Sequence, residues 1–241
     1  MSAERIVLLV FGIIFLLAAV FLLPAGGGLV WVNAAVTDDD GFLNSKTTDL
    51  ERNSYAIITS PAQIEWDADR GMTWCCDPGD FLTLKVEGEN QDSSKGIFMG
   101  IASESDVDAY LDGVRYDEIT TWTSSPWGSD VEYTRHNGNS EPAPPTGETF
   151  WEASAYGTGT QTLTWEPESG DWVLVIMNED GSLGVEVSGT VGARLPWLFW
   201  LGVGMLIAGA VALAAGIVMV YFAARRPRKA VPQAAVDSPA P

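Results

Sequence analysis

Hydrophobic positions along this chain fall into two regimes. From Ile6 to Leu23 and from Leu195 to Phe222 apolar residues run on with no charged residue among them, whereas between these runs they alternate with polar positions or cluster in short groups bounded by turn residues. A helix crosses a hydrocarbon layer with roughly 20 apolar residues, and in lipid only a structure that bonds its own backbone is viable. Each terminal run therefore predicts a transmembrane helix. The expected division is a cytoplasmic N-terminus over 1–5, a first span over 6–32, a middle domain over 33–193, a second span over 194–223 and a cytoplasmic tail over 224–241.

The run from Ile6 to Leu23 has 18 residues, more than the roughly 7 to 15 of a secretory h-region. It continues past Pro24 and Gly26 to Gly28 into Leu29, Val30, Trp31 and Val32, which predicts an uncleaved signal anchor. A cleaved signal peptide is the alternative, because Arg5 precedes the run and small residues follow at Asn33, Ala34 and Ala35. The second run opens with Trp197 and Trp200, closes with Tyr221, and is followed by Arg225, Arg226, Arg228 and Lys229. Interfacial aromatics and a basic flank retained in the cytoplasm predict a multi-pass protein of the plasma membrane with both termini cytoplasmic and the middle domain extracellular. Arg194 lies on the wrong side for this rule, against four bases on the other. The tail from Lys229, rich in Ala and Pro and without aromatics, reads as disordered.

In the middle domain, Tyr55 to Thr59, Phe81 to Val86 and Thr160 to Trp165 alternate like half-buried strands, while Ile97 to Ile101 and Trp172 to Met177 are apolar on both faces. The expected fold is a mainly β, antiparallel, sandwich-like domain with one short helix. Asp180-Gly181 predicts a hairpin turn between Trp172–Met177 and Leu183–Val187. Ser105 and Asp108 have capping-box spacing, which places the helix at 106–112 with Gly113 in its C-terminal turn. Trp122 to Asn139 reads as a long loop or an edge hairpin, and Glu141 to Gly147, with three prolines, as an extended link.

Charge narrows the partners. The middle domain holds 30 acids against 7 bases, for a net charge of −23, a surface that repels phosphate and so disfavours nucleic acid and anionic lipid headgroups. The ordinary reading is solubility, and the sharper one a cation-attracting or basic-partner surface. Asp38-Asp39-Asp40-Gly41 lacks EF-hand spacing and reads as a solvated linker. The cysteines, Cys75 and Cys76, are adjacent. Their Cα atoms sit about 3.8 Å apart, short of an ordinary disulfide's roughly 4.4 Å minimum. A vicinal disulfide, cross-links to a second protomer and buried free thiols remain the alternatives.

No hydrolase, phosphate-loop or dinucleotide signature is present, and one His in a Gly- and Asn-rich segment supplies little for a nucleophile or a metal. The expectation is therefore no cofactor and no catalysis. The rival is a hydrolase working with two carboxylates, which an excess of acids does not identify. Trp122 and Trp127 form a candidate platform for a sugar or protein ligand, with packing beneath the loop as the alternative. Gly204, Ala208, Ala212 and Gly216 recur every four residues, a small-residue stripe that predicts helix packing against the first span, at Gly12, Ala18 and Ala19, or against a second protomer or another membrane protein.

Gly100-Ile101-Ala102, Asp106 to Leu111, Asp117-Glu118, Phe150 to Ser154, Gly159 to Trp165, Gly170 to Ser182 and Gly192 to Trp197 together resemble a group of uncharacterised actinobacterial two-span membrane proteins with an extracytoplasmic domain. The resemblance covers most of the middle domain and enters the second span. It implies the same layout and carries no activity to transfer. Trp74 to Asp80, with the cysteines, lies outside the shared pattern. The reading is a non-catalytic envelope accessory or recognition module whose partners are membrane lipid and an envelope or membrane protein, with a homo-oligomer open; the alternative is a membrane-anchored sensor relaying ligand occupancy.

Overall fold

The computed structural model describes residues 3–64, 81–125 and 128–225. Cys75, Cys76, Trp127 and the tail beyond Arg225 lie outside them. The chain divides into two units, a helix pair from the two ends and a β body from Trp31 to Phe199.

In the helix pair, α1 (Ala3–Ala35) and α3 (Pro196–Ala224) are both long and apolar enough to cross a membrane. They are antiparallel neighbours: a Cβ added at Gly26 would lie 2.7 Å from the Gly202 carbonyl oxygen, at Gly209 2.9 Å from Leu23, and at Gly216 2.8 Å from Leu16. Glycine here is what lets the backbones approach. The buried stripe of α3 is Gly202, Gly209, Gly216 and Ala223, spaced by seven, together with Ala212. Ala212 and Gly216 are thus in the contact with α1, but Gly204 and Ala208 are exposed, and a Cβ at Gly204 would meet nothing within 4 Å. The four-residue stripe is corrected for a geometric reason: each step of four turns about 40° around the helix, which carries Gly204 some 120° away from Gly216.

The body contains twelve strands among its described residues, in two sheets. Sheet A joins β1 (Leu43–Asn44), β12 (Val185–Arg194), β5 (Thr83–Asn90) and β10 (Gln161–Trp165) in that order, with β2 (Thr48–Arg52) also on β12. Sheet B runs β8 (Gly128–His136), β7 (Tyr116–Ser125), β3 (Ala56–Thr59), β11 (Gly170–Asn178), β6 (Ile97–Ser103) and β9 (Ala153–Gly157), with β4 (Ala62–Ile64) also on β11. All pairings are antiparallel except β3 with β7. Between the sheets Leu50, Val86, Leu163 and Val187 of sheet A meet Ile57, Met99, Ile101 and Ile176 of sheet B.

Sheet B is buried on its other face too, which explains its two runs that are apolar throughout. There Ala102, Val173, Val175 and Met177 lie beneath α2 (Glu104–Tyr110), through Val107 and Leu111, and beneath Phe150 and Trp151. Ser103 rather than Ser105 caps α2: its Oγ accepts from the Asp106 amide at 3.2 Å and donates to the Asp106 carboxylate at 2.6 Å. The same spacing occurs twice, and the copy at the end of β6 prevails because the strand ends there. Residues 122–125 pair antiparallel with 128–131 at the edge of sheet B, where a long loop was the alternative.

The expected hairpin of the last two strands is not formed. β11 belongs to sheet B and β12 to sheet A, so the Asp180-Gly181 turn carries the chain across the sandwich. Asn178 makes the crossing rigid. It is 0 % exposed, its Nδ2 donating to the carbonyls of Ser182 at 2.9 Å and Gly184 at 2.8 Å while its Oδ1 accepts from Asn90 at 2.9 Å. Gly181 and Gly184, at φ +72° and +90°, take the left-handed conformations that the tight corner needs.

Candidate functional site

One polar cluster of the body lies on the outer face of sheet A. Strand alternation turns Val86, Gly88 and Asn90 inward and Lys85, Glu87 and Glu89 outward on β5. Registry then sets acids beside hydroxyls. Ser188 donates to Asp49 at 2.5 Å, Thr160 to Glu89 at 2.9 Å, and Thr190 lies 3.4 Å from Glu87. A cleft of about 200 Å³ opens among Thr47, Glu87, Glu89, Thr160, Ser188 and Thr190. Carboxylates accept only and hydroxyls do both, so the lining suits a ligand that donates hydrogen bonds.

One margin of this face is taken by the segment that follows α1. Asp38 organises it, its Oδ1 accepting from the backbone amides of Phe42 at 2.7 Å and Asp40 at 3.1 Å, and its Oδ2 from Lys85 at 2.6 Å and Asn44 at 2.9 Å. The bond from Lys85, followed by those from the Phe42 amide and Asn44, holds the Asp38 carboxyl well below the usual carboxylate range. Lys85 is 6 % exposed and also lies 3.1 Å from Glu87. Burial works against its charge, but its bonds to Asp38 and Glu87 outweigh that and raise its pKa. The Phe42 ring lies 4.8 Å from the Lys85 ammonium and 5.1 Å from the guanidinium of Arg194, the last residue of β12 before α3. Asp38 is therefore a hub rather than part of a solvated linker.

A second polar cluster fixes the β7–β8 hairpin. Arg135 makes a bidentate pair with the buried Asp117, at 2.9 and 2.8 Å, and Arg52 stacks 3.5 Å over the Tyr133 ring. Burial alone would raise the Asp117 pKa; the Arg135 bonds reverse this and hold it below the usual range. At the neighbouring position of β7, Glu118 accepts from Ser60 at 2.7 Å and faces His136 Nε2 at 2.9 Å, while Tyr116 stacks on His136 at 4.4 Å. Here the carboxylate lies between hydroxyl and imidazole, whereas a nucleophilic triad needs the imidazole in the middle.

Trp122 is half-buried and packs against the inter-sheet core. Its expected partner Trp127 and both cysteines fall outside the described residues. Among the described residues no three His, Cys, Asp or Glu side chains are grouped to hold a metal. Asp38, Lys85, Phe42 and Arg194 were missed by sequence reasoning. The available signal was Lys85 itself, a lone base at an outward position of a strand in a domain so poor in bases. Comparison of the chain with family models, curated proteins and solved structures gives no match.

Proposed function

We propose that this is a two-span protein of the cytoplasmic membrane that displays the β body outside the cell as a recognition module with no chemistry of its own. The observation that carries the reading is the helix pair: its antiparallel contact is made by glycines, while large apolar side chains such as Phe21, 74 % exposed, and Trp200, 71 % exposed, face outward. Soluble proteins rarely leave contiguous apolar surface of this extent uncovered, and lipid is the medium that covers it without a partner. An antiparallel pair also puts both termini on one side, and the arginines from Arg225 onward favour the cytoplasm for that side. The resemblance to actinobacterial two-span proteins points the same way. The surface offered to a partner is the outer face of sheet A, with its cleft of hydroxyls and carboxylates.

Protease added to intact cells expressing the chain with an epitope after Pro241 tests this. The expected result is loss of the body and survival of a short tagged fragment containing α3. A body that stays protected until the cells are lysed, or one recovered in the soluble fraction, overturns the reading.

A further inference from the structure

Lys85 stands between two structures that the recognition reading leaves separate. On one side is the cleft, whose wall includes Glu87; on the other is the segment 36–42, held down by Asp38 where the chain leaves α1. The ammonium contacts both carboxylates, Asp38 at 2.6 Å and Glu87 at 3.1 Å, and only 6 % of the residue is exposed. Phe42 closes over it and reaches Arg194 at the end of β12.

We infer that Lys85 couples the cleft to segment 36–42, with Glu87 acting as the alternate partner that sets how readily this segment lifts. When 36–42 lifts, Asp38 and the Phe42 ring leave together, and the ammonium loses its closest counter-charge at a cost that water reduces but does not cancel. Glu87 lessens that penalty because it stays with Lys85. Neutralising Glu87 removes the alternate partner, so the segment is held more tightly. A cationic group that engages Glu87 from the cleft acts in the same direction, so occupancy of the cleft is passed to segment 36–42. This deepens the recognition reading and rests on it for its biological use, but the coupling itself is a property of the folded chain.

Hydrogen exchange on the purified full-length chain in detergent reads the coupling directly, at the amides of Asp38, Gly41 and Phe42, which bond within the segment. Asp38→Asn should speed their exchange by about tenfold or more. Glu87→Gln should slow it by about threefold, the scale of a partly exposed ion pair, and this slowing should vanish in a Lys85→Met background. Should Lys85→Met not fold, Asp38→Asn supplies the second background, in which Glu87→Gln should likewise have no slowing effect. Faster or unchanged exchange in Glu87→Gln, or slowing that persists in these backgrounds, overturns the inference. Because the readout does not depend on which side of a membrane the body occupies, its failure is distinct from failure of the protease experiment.

Discussion

Asn178 shows how much a single side chain can decide. Fully buried at the end of β11, it bonds two turn carbonyls and Asn90 of the opposite sheet, and so converts a hairpin-like sequence into a crossing between sheets. Asn178→Ala leaves those part-buried carbonyls without their donor and the buried Asn90 amide without its acceptor, and should destabilise the body by about 2 to 3 kcal/mol, measured by denaturant unfolding. Asn178→Asp should be at least as harmful, since it adds a charge where the carbonyls require a donor. Asp117 and Asp38 make a second residue-scale case. Both titrate below their ordinary range in the fold, so each contributes stability that is complete above about pH 4, the unfolded value, and is lost as pH falls through the lower folded value. Thermal midpoints should therefore hold nearly level from neutrality to about pH 4 and drop below it. In Asp117→Asn that drop should be shallower, because one of the two contributors has been removed.

At the scale of elements, the strands were legible and their partners were not. Ile97–Ile101 and Trp172–Met177 declare burial on both faces, and sheet B indeed has a core on each side. The turn after β11 carries every hairpin residue, yet its sheet assignment depends on Asn90, 88 residues earlier in sequence, which no local pattern reveals. The cleft and the Asp38–Lys85 contact were illegible for the same reason: Asp38, Lys85, Thr160 and Ser188 are remote in sequence and meet only through strand registry. In α3 the small residues were visible, but the four-residue spacing selected a drifting line instead of the seven-residue one that stays on the contact. This gives a paired prediction. Gly216→Leu, whose side chain would meet Leu16 and the Gly12 backbone, should lower the thermal midpoint of the full chain in detergent by several degrees. Gly204→Leu should leave it unchanged.

At the scale of the molecule, three of the body's few bases are placed where they hold it together. Lys85 fixes the segment after α1, Arg135 fixes the edge hairpin through Asp117, and Arg52 stacks on Tyr133, so the exterior is left largely to carboxylates and hydroxyls. The order of the chain matters as much as its charge. The strand at the heart of sheet B, β11, and the strand at the heart of sheet A, β12, are the last two of the body, and every strand of sheet A except β5 and β10 pairs with nothing in its sheet but β12. A version ending at Pro167 lacks both, and should be digested by protease without a resistant core and unfold without a cooperative transition. During synthesis the first ten strands must then wait, unpartnered at their centres, until the last has emerged. Folding of the body can finish only once β12 has left the ribosome, so a polypeptide that pauses short of Arg194 offers quality-control proteases an open chain.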